Sequence, residues 1–129
     1  MRFQEVKSAL QERLSTLETL WQKRDYRGIV RELYTDSTEV TGAGNDLIYS
    51  GTEELESLVE DLVGGSSGAS IRIDRLTPLG DSAAYTWVTW DIKPVDGESF
   101  SMKSLFVWSL CKEGWRIVAD MYAEGEIPA

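Results

Sequence analysis

The stretch from Met102 to Tyr122, MKSLFVWSLCKEGWRIVADMY, decides the fold of this 129-residue chain. It predicts two long strands joined by a tight turn at Cys111–Gly114, because aromatic and β-branched residues favour a pleated, half-buried surface. Simple alternation gives each strand one strongly apolar face. Those faces consist of Met102, Ser104, Phe106, Trp108, Trp115, Ile117, Ala119 and Met121.

Upstream of this hairpin, the chain changes from helical to strand periodicity. Apolar residues recur every three or four positions over residues 3–23, in a second helix with Asp25 at its N-cap, and in a third that Thr52 caps. The glycine- and serine-rich segment 64–70 predicts a loop, and long strands follow it. Helices first and a meander of strands last indicate an α+β fold, in which a curved antiparallel sheet wraps around three N-terminal helices. The length predicts a single domain over residues 1–129.

Composition excludes several classes of partner. The net charge of −9 repels phosphate backbones and anionic membrane surfaces, so neither nucleic acid nor a membrane is an expected partner. Residues 1–10 carry charges and lack an apolar segment, so we expect no signal peptide there, and no apolar run reaches the ~20 residues that a membrane span needs. Cys111 is the only cysteine, which fits a reducing compartment and predicts a cytoplasmic protein.

The absence of histidine removes the usual nucleophilic triads and histidine-containing metal sites. The loop that starts at Asp36 lacks acids at the third and fifth positions of a calcium loop and a glutamate at the twelfth, and Gly42–Gly44 lacks the following lysine of a phosphate loop. We therefore expect no metal and no cofactor. Asp91 and Asp120 lie within predicted strands, where an apolar pocket would raise the pKa of a carboxyl and suit it to general acid–base catalysis. The alternative for each is a surface acid paired with lysine or arginine.

Four segments together resemble the nuclear transport factor 2-like superfamily, and within it the SnoaL-like group. They are WQKRDYRGIVRELYTDSTEVTG, GTEELESLVEDL, LGDSAAYTWVTWD and SLFVWSLCKEGWRIVADMY. The superfamily includes ketosteroid isomerase, polyketide cyclases and non-catalytic binding domains, so the resemblance specifies fold better than activity. It implies a cone with a pocket at its open end and a homodimer through the outer sheet face.

The resemblance also tests one chemistry. The positions of the ketosteroid isomerase base, oxyanion-hole acid and oxyanion-hole tyrosine fall on Gly42, Phe106 and Leu17. None of these side chains transfers a proton or donates a hydrogen bond, so ketosteroid isomerisation is expected to be absent.

The same alignment assigns the strand faces. It implies a pocket lined by Trp21, Tyr34, Val40, Gly42, Tyr85, Trp87, Thr89, Ser104, Phe106, Trp108, Ala119 and Met121. A glycine at position 42 is expected to leave empty space at the pocket mouth. The opposite face, expected to form the dimer, consists of Ala84, Thr86, Val88, Trp90, Leu105, Val107, Val118 and Tyr122.

Three functions remain open from the sequence. The first is a domain that binds a small hydrophobic molecule in an aromatic-lined pocket. The second is an isomerase, dehydratase or cyclase that uses Asp91 or a tyrosine as acid–base group. The third is a dimerisation or protein-interaction module whose pocket is filled by its own aromatic side chains.

Overall fold

A computed structural model describes residues 3–128. In chain order the helices and strands are α1 (Phe3–Gln22), α2 (Tyr26–Leu33), β1 (Tyr34–Gly42), β2 (Tyr49–Ser50), α3 (Thr52–Gly64), β3 (Ser66–Pro78), β4 (Ala83–Pro94), β5 (Phe100–Cys111) and β6 (Gly114–Glu124). The α+β cone predicted from the sequence is confirmed: three helices pack on one face of a curved, open six-stranded sheet. No helix within residues 3–128 combines the length and apolar character needed to cross a bilayer.

The sheet has the strand order β2-β1-β6-β5-β4-β3. The pairs β3–β4, β4–β5 and β5–β6 are antiparallel, as the meander predicts, whereas β1 lies parallel to β6. The parallel pair places the first strand beside the last strand within the sheet. We call the face that the helices cover the concave face and the other the convex face.

Local signals explain the helix boundaries. Asp25 caps α2 by accepting a hydrogen bond from the Gly28 backbone N–H at 3.0 Å. Helix α3 differs from the prediction, because Gly51 occupies its N-cap position and Thr52 is its first helical residue. The Glu54 carboxylate accepts a hydrogen bond from the Ser50 N–H at 3.0 Å. A side chain from the first turn of the helix thus pairs with a backbone N–H that precedes the helix. Strand β3 starts at Ser66, where the sequence predicts a loop.

Strand β6 contains a bulge that simple alternation does not predict. Ile117 pairs with Trp108 and Ala119 pairs with Val107, which leaves Val118 without a partner in β5. An extra residue in one strand reverses the direction of every side chain beyond it. The prediction that Ala119 and Met121 point inward is therefore wrong.

The predicted faces of β4 are also reversed. Ala84, Thr86, Val88 and Trp90 are buried on the concave face, whereas the sequence assigned them to the dimer surface. Two buried hydroxyls on this face have indole partners: Trp108 Nε1 donates to Thr86 Oγ1 at 2.9 Å, and Trp90 Nε1 donates to Ser104 Oγ at 3.0 Å. Hydroxyl groups that are hydrogen-bonded in this way are stable in the core. The polar residue Thr86 therefore does not mark the solvent-facing side of β4.

Candidate functional site

A cavity of about 230 Å³ lies between the concave face and helices α1 and α3. Its wall is mainly apolar, and α3 supplies Leu58, Val59 and Leu62. Leu62 and Phe100 line the cavity and are also exposed to solvent, at 39% and 48%, so the cavity has an accessible rim. Four polar side chains line it, namely Tyr34, Ser104, Asp120 and Tyr122.

Asp120 is the one acid among the described residues that line this cavity, and the β6 bulge places it there. It pairs with Phe106 across β5 and with Val40 across β1, so it lies between two apolar neighbours in the middle of the sheet. The residue is only 8% exposed, and its Oδ1 atom has no hydrogen-bond partner. Burial raises the pKa of the Asp120 carboxyl to about 8, although a hydrogen bond with Ser104 acts in the opposite direction. The carboxyl is thus mainly protonated at neutral pH.

Two tyrosines flank Asp120. Tyr34 follows α2 as its C-cap and begins β1, and Tyr122 lies two residues beyond Asp120 on the same face of β6. Burial, and then the neighbouring Asp120, raises the pKa of both phenols. Both tyrosines therefore remain protonated at neutral pH and can act as hydrogen-bond donors.

Gly42 does not leave the empty volume that the sequence predicts. A Cβ atom built at this position would lie 2.7 Å from Cε2 and Cζ of the Tyr122 ring. The Tyr122 ring already occupies the space beside Gly42. Glycine is therefore required at position 42, because any side chain there would clash with this ring. Gly42 and Tyr122 also border a shallow groove formed by the 43–47 loop.

Trp21 and Trp90 line the cavity, and further aromatic rings pack behind them. The ring centroids of Trp21 and Trp90 are 5.3 Å apart, and Phe106 packs edge-on between Trp90 and Trp108 with centroid distances of 5.9 Å. The indole N–H of Trp21 donates to Ser66 Oγ, as that of Trp90 does to Ser104. Both indole donors that line the cavity are therefore engaged within the protein.

The predicted pocket residues separate into three groups. Trp21, Tyr34, Val40 and Ser104 line the cavity. Phe106 and Trp108 are fully buried without lining it. Pairing and burial place the others, apart from Gly42, on the convex face, so their predicted position is wrong; these are Tyr85, Trp87, Thr89, Ala119 and Met121.

Thr89 needs a separate explanation because it is buried although it faces outward. Its hydroxyl donates to Asp74 Oδ2 at 2.7 Å and accepts a hydrogen bond from the Ile127 N–H at 3.2 Å. The C-terminal segment thus covers this part of the convex face.

The two candidate acids have different environments. Asp91 is exposed next to β5 and accepts a hydrogen bond from Ser101 at 3.4 Å, so it does not line the cavity. Asp120 does line it. Across residues 3–128, no three histidine, cysteine or acidic side chains are grouped closely enough to hold a metal ion.

Sequence reasoning did not place Trp90, Ile92, Met102 and Tyr122 in the cavity wall. For Trp90 and Ile92 the available signal was the polar character of Thr89, Asp91 and Lys93, which alternate with them. For Tyr122 the sequence contained no comparable signal, because the bulge that turns it inward depends on the pairing of β6 with β5.

No protein-family model and no curated protein sequence matches this chain. Solved structures do match its fold. One is a nuclear transport factor 2-like protein with a cystatin-like fold from Novosphingobium aromaticivorans, with 16% identity, a TM-score of 0.78, and coverage of 99% of this chain and 87% of that chain. Another, from Shewanella oneidensis, is an NTF2-like protein of unknown function with 16% identity, a TM-score of 0.79, and coverage of 92% and 98%.

A third similar structure is a ketosteroid isomerase-like protein from Erwinia carotovora atroseptica. It has 12% identity and a TM-score of 0.75, with coverage of 93% of this chain and 96% of that chain. The chain therefore has the fold of the nuclear transport factor 2-like superfamily, as the sequence predicted. At these identities the similarity extends to the fold and not to an activity.

Proposed function

We propose that this protein binds a small, mainly apolar molecule in the concave-face cavity, with one polar group of the ligand meeting Asp120. The observation that carries this proposal is a buried carboxyl with an unpartnered oxygen in a mainly apolar cavity. A buried polar atom without a partner typically costs about 1–3 kcal/mol. A ligand that supplies the missing hydrogen bond recovers part of that cost.

The dimensions of the cavity restrict the ligand. Pockets for drug-sized molecules have volumes of about 300–1,000 Å³, whereas this cavity measures about 230 Å³. The ligand is therefore a small aromatic or short aliphatic molecule. Entry past Leu62 and Phe100 needs no opening of the sheet, since both side chains are exposed at the rim.

Tryptophan fluorescence tests this proposal directly. Titration with small aromatic probes is expected to change the emission saturably, because Trp21 and Trp90 line the cavity. Trp90→Phe should reduce this change. Trp87→Phe is the matched control, because Trp87 lies on the convex face and its loss should leave the ligand-dependent change in place. A saturable change that depends on Trp87 and not on Trp90 would contradict the proposal.

A second candidate function is general acid–base catalysis by Asp120. A carboxyl whose pKa is about 8 exchanges its proton efficiently near neutral pH, and the phenols of Tyr34 and Tyr122 can donate to a developing oxyanion. The test is exchange of solvent deuterium into the α-carbon of a small ketone, followed by NMR. Exchange that requires Asp120 supports catalysis, whereas exchange unchanged in Asp120→Asn contradicts it.

We also propose that a second copy of this chain covers the convex face. Trp87, Leu105 and Met121 pair in register across β4, β5 and β6 and form an apolar row. Trp87 and Met121 are 37% and 53% exposed, respectively. A two-fold axis near this row would bury it against itself, which is the usual symmetry of a soluble homodimer.

A further inference from the structure

We propose that the cavity selects small organic amines, which it binds as ammonium ions against the Asp120 carboxylate and the surrounding aromatic faces. This inference rests on the ligand-binding function proposed above and names the chemical class of the ligand. It depends on three features of the cavity: an acid without a cationic partner, aromatic walls whose indole donors are already used, and a negative protein.

The first feature is the missing positive charge. No lysine or arginine is among the described residues that line the cavity. Lys103 precedes Ser104 in β5, but alternation turns its side chain to the convex side, where its Nζ lies near Gly125. A buried carboxylate is stable only when a positive charge and hydrogen-bond donors accompany it. An ammonium ligand would supply both at Oδ1 of Asp120.

The second feature is the aromatic wall. Trp21, Tyr34, Trp90 and Tyr122 line the same cavity as Asp120. An aromatic face attracts a cation most strongly when the site is shielded from water. Since the indole N–H groups of Trp21 and Trp90 already bond to Ser66 and Ser104, these two side chains offer a ligand mainly their π faces.

The third feature is the overall field. The chain carries a net charge of −9, so cations accumulate around it and anions are repelled. A neutral carbonyl compound gains nothing from this field and makes weaker contacts with aromatic faces. The charge therefore favours an amine over a carbonyl compound of the same shape.

Binding of an amine moves one proton. At neutral pH the free protein holds a proton on Asp120, and an alkylamine is already protonated in water, since such amines have pKa values near ~10. The ammonium–carboxylate pair forms when Asp120 releases its proton to the solvent, so one proton is liberated for each amine bound. The affinity for an amine should consequently rise about tenfold per pH unit from pH 6 towards pH 8.

Among the described residues that line the cavity, Asp120 is the only one with an ionisable acid or base other than the two phenols. The groups that face Asp120 are Ser104 from β5, Tyr34 from the α2–β1 junction and Tyr122 from β6. Helices α1 and α3 contribute apolar side chains and Trp21, and β4 contributes Trp90 and Ile92. Both phenols keep their protons throughout this pH range.

The experiment uses three probes of one shape, namely benzylamine, benzyl alcohol and benzaldehyde. Calorimetric titrations in two buffers with different ionisation enthalpies give the affinity and the number of protons released. We expect benzylamine to bind most tightly at pH 8 and to release close to one proton at pH 6.5. Asp120→Asn should weaken benzylamine binding about tenfold or more and change benzyl alcohol binding much less.

Asp91→Asn is the matched control, because it removes an exposed carboxyl from β4 of the same sheet, outside the cavity. It should leave all three affinities unchanged. Tighter binding of benzaldehyde than of benzylamine, or benzylamine binding that is unchanged by Asp120→Asn, would overturn the amine inference while the ligand-binding function stands. If the folded protein binds none of the three probes, both proposals fail.

Discussion

Asp120 lies directly opposite Phe106 in the ladder between β5 and β6, so a carboxyl and a phenyl ring occupy neighbouring places on the concave face. The resemblance to ketosteroid isomerase places the oxyanion-hole acid at position 106, where this chain has an apolar residue. The structure supplies an acid from the adjacent strand instead. The acid belongs to a position that simple alternation would turn to the convex face.

The raised pKa of Asp120 makes stability depend on pH. The folded carboxyl has a pKa of about 8, and the unfolded one has a pKa near ~3.9. Between these values the folded state holds a proton that the unfolded state has lost. This contribution to the free energy of unfolding is therefore fully present below pH ~4 and is lost as the pH rises towards 8, at up to about 1.4 kcal/mol per pH unit.

Asp120→Asn removes this titration. Urea denaturation at pH 5, 6, 7, 8 and 9 should show that the variant gains stability relative to the parent up to pH ~8, with no further gain above it. Asp91→Asn is the control and should show no such trend. Parallel pH profiles of the parent and Asp120→Asn would contradict a buried, protonated carboxyl.

Phe106→Asp should destabilise the fold strongly. The substitution removes a fully buried ring and places a second carboxyl opposite Asp120. Loss of a buried phenyl group alone costs about 3–5 kcal/mol, and a second buried acid adds to that. Leu110→Asp lies on the same strand at a position that is 37% exposed and should cost much less. Equal denaturation midpoints for the two variants would count against this packing.

The convex face should determine the oligomeric state. Light scattering at micromolar concentration should give the mass of a dimer for the parent, and that of a monomer for Met121→Glu or Trp87→Glu, since each places a charge in the apolar row. Leu79→Glu is the control, because Leu79 is an exposed leucine outside the sheet rows. A monomeric parent protein would refute the dimer proposal.

Thr38 should be essential for the junction between β1 and β6. Its buried hydroxyl donates to the Ile117 carbonyl at 2.6 Å and accepts a hydrogen bond from the Thr35 N–H at 2.8 Å. Thr38→Val keeps the shape but removes both of these hydrogen bonds from a buried position, at a cost of about 2 kcal/mol. Thr41→Val, on the same strand, removes a bond to the exposed Leu47 carbonyl and should cost much less. Similar denaturation curves for both variants would contradict this role.

The helices and the hairpin could be predicted from the sequence because their apolar periodicity is regular. The face of β4 was assigned wrongly, because both of its faces carry aromatic residues and because Thr86, a polar residue, is buried with an indole partner. The polar residues Thr89, Asp91 and Lys93 were the one signal for the correct face. The position of Asp120 could not be predicted. It depends on the unpaired Val118, and a bulge is a property of two strands that neither sequence shows alone.

The bulge at Val118 has a kinetic consequence. A β6 that paired regularly with β5 from the turn onward would point Ala119 and Met121 inward and Asp120 outward. That register would place apolar side chains on the concave face, whereas in the observed register Asp120 pairs there with Val40 of β1. Ionisation of the buried Asp120 carboxyl at alkaline pH should reduce the free-energy difference between the two registers of β6, because the charged group is less stable when buried. We then expect the end of β6 to exchange its amide protons faster than the rest of the sheet, because its hydrogen bonds open each time the strand slips by one residue and returns.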